Sequence, residues 1–232
     1  RPRRRPQRPR RSLNKHPLQN DKGFPVTKLT IGFATHDDFD GLYFSINSLR
    51  MFHAEAMSQC EIVVIDNAPK SNSARRADGL FANLRDGMAS EASILNQPYG
   101  VQYIQFGDVV GTAAPRQKIF DVATGDAVLV MDSHVMLWPG AIRRLIEYYD
   151  ADPGTRDLLS GPMVYDNLSG IATHFQDVWR DGMWGIWGHD DRGLDIDAEA
   201  FEIPAHGLGM FSCRREAWRG FNTDFREFGG EE

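Results

Sequence analysis

The chain repeats one pattern: a short run of β-branched and apolar residues, a polar break, then apolar residues spaced three and four apart. The first run, Leu29-Thr30-Ile31-Gly32-Phe33-Ala34-Thr35, predicts a strand. After it Leu42, Ile46, Leu49 and Phe52 share one helical face, and Asp40 is the expected N-cap. A second strand, Glu61-Ile62-Val63-Val64-Ile65, ends in Asp66-Asn67, and a helical stretch from Ala77 to Met88 returns the chain. Val101-Gln102-Tyr103-Ile104 predicts a third strand, leading through Gly107 and Gly111 into a helix near Ala114 to Ala123 with Gly125 at a C-cap position. The run from Ala127 to Met131 reads as a buried strand, and Pro139 opens a helix carrying Ile142, Leu145, Ile146 and Tyr149. Beyond Ser160 the periodicity weakens. Trp179, Trp184 and Trp187 fall in a Gly- and Asp-rich stretch that reads as loop, and a helix is expected around Arg214 to Arg219.

Strands alternating with helices, without an internal repeat, predict an α/β fold: a mostly parallel sheet with helices on both faces, in a single domain. Residues 1 to about 25 are Pro- and Arg-rich without periodicity, so they are expected to be a disordered basic leader, with the folded domain spanning 26–232. The leader also changes how the charge reads. Residues 1–16 carry eight basic and no acidic side chains, so the net charge of -6 leaves 18 basic against 32 acidic residues in the remainder. A body that acidic disfavours nucleic acid as a partner and suits a divalent cation. The two cysteines, Cys60 and Cys213, lie far apart, which supports neither a disulfide framework nor a thiolate zinc site and suggests a reducing, cytoplasmic setting. No apolar run approaches the roughly 20 residues of a membrane-spanning helix. The chain starts at Arg1 rather than Met and stops at Glu232 inside what reads as a motif, so residues beyond both ends are expected, with the domain cut short at its C-terminus.

The chemistry concentrates where strands end. Asp132-Ser133-His134 closes the most apolar strand, and on an extended segment residues two apart leave the same face, so Asp132 and His134 are candidate ligands of one cation. Mixed oxygen and nitrogen ligation suits Mn²⁺ better than Mg²⁺, the alternative ion. An Asp closing a turn beside a surface His is the plainer reading. Thr35 and Asp66 close two other strands; Asp66 is placed to accept a hydrogen bond from a base or ribose, although either residue equally suits a helix cap. Arg116 is a candidate phosphate partner, with a surface ion pair as its alternative. Trp184 and Trp187 offer a sugar-stacking face, with core packing or lid anchoring as the alternatives. Phe228-Gly229-Gly230-Glu231-Glu232 sets two carboxylates, candidate bases or acceptor contacts, after a flexible glycine pair.

Taken in order, these features resemble a GT-A glycosyltransferase of the family 2 superfamily: strands ending in Thr35 and Asp66, Gly111 with Arg116 five on, Asp132-Ser133-His134, Gly207-Leu208-Gly209-Met210-Phe211, and Phe-Gly-Gly-Glu. Asp-Ser-His in place of Asp-x-Asp, together with Gly-Gly-Glu, is similar to the polypeptide N-acetylgalactosaminyltransferases. The resemblance covers about Lys28 to Glu232. It implies a Rossmann-like GT-A domain that uses Mn²⁺ to transfer a hexosyl or N-acetylhexosaminyl group from a UDP-sugar donor to a hydroxyl on a protein or glycan acceptor. Under it Thr35 and Asp66 hold the uridine, Arg116 lies near the nucleotide, and Asp132 with His134 holds the metal against the diphosphate. Gly207 to Phe211 line the donor sugar pocket, and Glu231 touches sugar or acceptor. Glu232 sits where inverting relatives place a base, whereas Asp-Ser-His and Gly-Gly-Glu point to retaining enzymes. A further histidine ligand, in the resembled enzymes, follows Gly-Gly-Glu and would lie past Glu232. Two other readings stay open. A sugar nucleotidyltransferase would want a basic, Gly-rich loop after the first strand, where His36-Asp37-Asp38-Phe39-Asp40 is acidic. A noncatalytic nucleotide-sugar-binding module would keep the fold without turnover.

Overall fold

The structure is a computed structural model that describes residues 28–88, 101–107, 111–180 and 182–221. The basic leader and the Gly-Gly-Glu-Glu segment lie outside the described residues. Along the chain run β1 (Leu29–Thr35), α1 (Phe39–Phe52), β2 (Cys60–Asp66), α2 (Asn72–Met88), β3 (Val101–Gln105), α3 (Ala113–Val122), β4 (Ala127–Asp132) and α4 (Ala141–Ala151). Short strands β5 (Met163–Val164) and β6 (Ile171–Ala172) pair with each other, β7 (His174–Arg180) and β8 (Met183–Gly188) form a hairpin, and β9 (Met210–Arg214) returns to the main sheet.

That sheet has the order β3-β2-β1-β4-β9, with β9 antiparallel to β4 and the other neighbours parallel. This is the mostly parallel α/β sheet with helices on both faces that the alternating pattern predicts. Its strands are apolar on both sides because both sides are covered. Leu29, Ile31, Phe33, Val64, Leu129 and Met131 join a core closed by Leu42, Ile46 and Leu49 of α1 and Ile142, Ile146 and Tyr149 of α4. On the opposite face Val63, Ile65, Val128 and Val130 pack with Ile119 and Phe120 of α3 and with Phe211 of β9. Cys60 is buried in the first core and Cys213 in the second.

Two glycines record how tightly these layers close. A Cβ on Gly32 would lie 2.2 Å from Cγ2 of Ile119, which is fully buried and has no room to yield. Gly125 lies beyond the helix end, because α3 caps at Ala123 rather than at the expected glycine. Its smallness serves the strand ends, since a Cβ there would meet the Thr30 nitrogen at 2.7 Å and the Lys28 carbonyl at 2.8 Å. Beside it Glu61 gathers the amino ends of the strands. It accepts from Thr30 Oγ1 at 2.5 Å, from Thr124 N and Oγ1 at 2.6 Å each and from Gly125 N at 3.2 Å, with Lys28 Nζ at 3.7 Å.

Several local expectations are corrected. Asp38, not Asp40, caps α1, because the helix begins two residues earlier and the Gly41 amide donates to Asp38 Oδ1 at 3.0 Å. Asp40 sits in the first turn and pairs with Arg76 at 2.7 Å. Phe52 is half exposed at the end of α1, where the buried stripe has run out. Pro139 precedes α4 by two residues, and Gly140, at φ 88°, occupies its N-cap. The tryptophan stretch is a hairpin rather than a loop: cross-strand pairing holds it, and Gly185 at φ 88° turns the chain within β8. The helix expected at 214–219 is the end of β9 followed by one 3₁₀ turn, Arg215–Ala217, because the segment is needed as the antiparallel edge beside β4.

Gly32→Ala is expected to lower stability by about 1–3 kcal/mol through overpacking against Ile119, read by chemical denaturation. Burial opposes ionisation of Glu61, but hydrogen bonds from Thr124 and Thr30 hold its carboxyl below the ordinary glutamate value of 4.5. The stability it adds is complete above that unfolded value and is lost as pH falls through the lower folded one. Thermal unfolding of Glu61→Gln is therefore expected to differ most from wild type near neutrality, the gap narrowing below about pH 4.

Candidate active site

In open parallel sheets ligands bind outside the carboxyl ends of the strands, at the point where strand order reverses. Here β1 lies between β2 and β4, so the reversal falls between β1 and β4. The register sets Thr35 opposite Asp66 and Ala34 opposite Asp132, which brings the three predicted strand-end residues into one row. From the far side β9 adds Gly209, whose carbonyl accepts from the Asp132 amide at 2.9 Å.

Asp132 is divided between two environments. Its Oδ1 accepts a charge-assisted hydrogen bond from Arg116 at 2.6 Å. Its Oδ2 looks toward Gly209, where a Cβ would stand 3.4 Å away. Arg116 is buried at 7% exposure and donates also to the Thr112 carbonyl at 2.9 Å, so α3 delivers a fixed cation behind the carboxylate. The surface ion pair weighed for Arg116 is therefore a largely buried one.

His134 stands differently from the extended alternation. The strand stops at Asp132, and the Val135 amide bonds back to the Asp132 carbonyl at 3.2 Å, so Ser133 and His134 lie in a turn. The His134 ring is exposed and its Nδ1 lies 3.1 Å from Asp38 Oδ2, which also accepts from Ser133 Oγ at 2.8 Å. Burial raises the Asp38 carboxyl, but the bonds from Ser133, His134 and Gly41 outweigh it and hold the group below the usual aspartate range. Asp38 is the site residue that the sequence reading missed. Its signal was the acidic run after β1, taken there only as the absence of a phosphate loop.

Thr35 and Asp66 line a small cleft with Asp37, Asp38, Phe39, Ser73 and Ala74. Asp66 is almost fully buried and is tied into its own loop: Oδ1 accepts from the Ala68 amide at 2.8 Å and Oδ2 from the Tyr103 hydroxyl. Burial, then that bond to Asp66, pushes the Tyr103 hydroxyl above its ordinary value. The Thr35 hydroxyl donates to the Asp38 carbonyl at 3.4 Å.

The glycine segment rests on the hairpin. A Cβ on Gly207 would lie 2.9 Å from both Phe175 and Trp187, whose rings stack with centroids 4.1 Å apart. Trp184 instead faces Trp179 across the hairpin at 6.4 Å, and both are exposed, at 61% and 62%. Trp184 and Trp187 thus do not form one face. Glu231 and Glu232 lie outside the described residues. Among the described residues no three His, Cys, Asp or Glu side chains gather as a metal-binding cluster, and no helix is long and apolar enough to cross a membrane.

Arg116→Met and Asp132→Asn should each destabilise the fold by about 2–4 kcal/mol, because either leaves a buried or half-buried charge unpaired. The double variant is expected to cost less than the sum by about 1–3 kcal/mol, read from urea unfolding of the four proteins.

Comparison with known proteins bears on the family and the fold. The family model described as glycosyl transferase family 2 matches residues 30–217, from β1 through the 3₁₀ turn after β9. Among solved structures, GalNAc-T7 with UDP, GalNAc and Mn²⁺ superposes at a TM-score of 0.64 with 15% identity, covering 89% of this chain and 38% of that one. S. aureus TarS 1-349 aligns at a TM-score of 0.45 with 19% identity, over 59% of this chain and 35% of that one. This chain thus spans well under half the length of either. No curated protein matches the sequence. The matched span takes in every strand of the main sheet and the Asp-Ser-His turn, and the chain belongs to glycosyl transferase family 2.

Proposed function

We propose that residues 26–232 form the catalytic domain of a metal-dependent glycosyltransferase, preceded by a basic leader, that moves a hexosyl or N-acetylhexosaminyl group from a UDP-sugar to a hydroxyl on a protein or glycan. One observation carries this reading: at the strand-order reversal Asp132 has one oxygen held by Arg116 and the other turned to the side of Gly209. The GalNAc-T7 structure, of the same fold, holds UDP, GalNAc and Mn²⁺, which supports a sugar-nucleotide donor and a divalent ion.

The donors suit such an ion in part. Asp132 Oδ2 would supply a hard oxygen and the exposed His134 ring a nitrogen, and the donor would have to supply further ligands. A bound Mn²⁺, or Mg²⁺ in its place, would offset negative charge developing on the departing UDP. The protein's own groups do the remaining work. Arg116 holds Asp132 Oδ1 at 2.6 Å and so fixes the direction of the carboxylate, and adds positive potential behind the phosphates. Thr35 and Asp66 border the nucleoside side, where Asp66 keeps lone pairs beyond those used by Ala68 and Tyr103. Gly207 and Gly209 let the backbone pass close to the hairpin rings and to Asp132, where a side chain at 207 would collide with Phe175 and Trp187, and this segment is assigned to the donor sugar. Glu231 and Glu232 are assigned to sugar or acceptor contact.

UDP release from a panel of UDP-sugars, with Mn²⁺ and hydroxyl acceptors, tests the assignment. Asp132→Ala is expected to lose at least about a hundredfold in rate, equivalent to about 2.7 kcal/mol of transition-state stabilisation. Retention within about tenfold rejects metal-assisted departure. Nucleoside triphosphate consumption would instead mark a nucleotidyltransferase, and UDP-sugar binding without release a binding module.

A further inference from the structure

We infer that Asp38 is the positioning residue of the Asp-Ser-His turn, accepting the Nδ1 hydrogen of His134 so that the ring presents its Nε2 lone pair outward. The inference rests on the proposed role of His134 as a cation ligand and adds the group that orients it.

The geometry supports this from three directions. First, Asp38 is itself immobilised. Its Oδ1 accepts from the Gly41 amide at 3.0 Å, while its carbonyl accepts from the Leu42 amide at 3.3 Å and from Thr35 Oγ1 at 3.4 Å. The carboxylate is thereby fixed to the end of β1 and the start of α1. Second, its Oδ2 receives two side chains of the turn, Ser133 Oγ at 2.8 Å and His134 Nδ1 at 3.1 Å. An ionised carboxylate only accepts, so the hydrogen of a neutral ring sits on Nδ1 and the lone pair on Nε2. Third, α1 grips the backbone of the same turn about two helical turns further on. The buried Ser45 hydroxyl lies 2.7 Å from the Ser133 carbonyl and 2.9 Å from that of Val135.

A helix cap alone does not explain this residue. Ser, Thr or Asn would cap α1 about as well. An acidic side chain here adds a charged acceptor that the imidazole and the Ser133 hydroxyl share. The His134 side chain is 70% exposed, so little else among its surroundings restricts its rotation. A carboxylate behind an imidazole ligand fixes both tautomer and direction, and removing such a partner typically weakens metal affinity by about 10–100-fold.

The test compares wild type with Asp38→Ser and Asp38→Asn, both of which retain a capping side chain. The ¹⁵N imidazole spectrum of metal-free protein, with His134 assigned by difference from His134→Gln, is expected to show the Nδ1–H form in wild type. Asp38→Ser, too short to reach the ring, should move toward the Nε2–H form, with Asp38→Asn between the two. Calorimetric titration with Mn²⁺ should show affinity about 10–100-fold weaker in Asp38→Ser. A wild type that holds the Nδ1–H form but binds no Mn²⁺ overturns the metal reading of His134. Mn²⁺ binding in wild type that Asp38→Ser leaves unchanged, or a His134 tautomer that no Asp38 variant alters, overturns the role of Asp38 alone.

Discussion

The constraint on which the rest depends is the burial of β1 on both faces. Leu29, Ile31 and Phe33 lie in one core, while Gly32 is pressed against Ile119 on the opposite side. A one-residue slip of this strand would exchange those faces, putting Phe33 where only a hydrogen fits and Gly32 where a large side chain is needed. Register with β2 and β4 is therefore rigidly set, and with it the row Asp66, Thr35 and Asp132. The candidate site is a consequence of how the core packs, at the end of the sheet opposite the Glu61 cluster that ties the strand starts together.

Around this row, electrostatics assigns separate partners to two carboxylates. Asp132 faces the guanidinium of Arg116, brought by α3 from one face of the sheet. Asp38 faces His134 and Ser133 from the first turn of α1, which covers the other face. The Asp-Ser-His turn is thus held by helices from both layers. Pairing one carboxylate with an arginine lowers the repulsion that a second would otherwise meet.

The hairpin of β7 and β8 adds a different kind of support. Its root pair, Phe175 and Trp187, stacks beneath Gly207 and so fixes the approach of the glycine segment to Asp132. Its outer pair, Trp179 and Trp184, is turned to solvent beyond the register shift between Gln176 and Trp179. One aromatic segment is thus divided between an end packed against Gly207 and a more exposed end.

The sequence by itself determined the alternation of strands and helices, the identity of the strand-end residues and their membership in one edge, because continuous apolar runs of strand length admit few other readings. Thr35, Asp66 and Asp132 were legible for that reason, whereas Gly209 entered only through the family resemblance. What it did not contain was partnership across distance. That Arg116 pairs with Asp132, that Asp38 rather than Asp40 caps α1 and receives His134, and that Trp187 stacks on Phe175 while Trp184 turns outward were decided only by tertiary structure. So was the antiparallel edge strand at 210–214, followed by a single 3₁₀ turn where a helix over 214–219 was expected. The physical reason is common to all four: local propensity differs by about 1 kcal/mol or less per residue. Closing a sheet edge or satisfying a buried charge is worth more than that, and those terms exist only once distant segments meet.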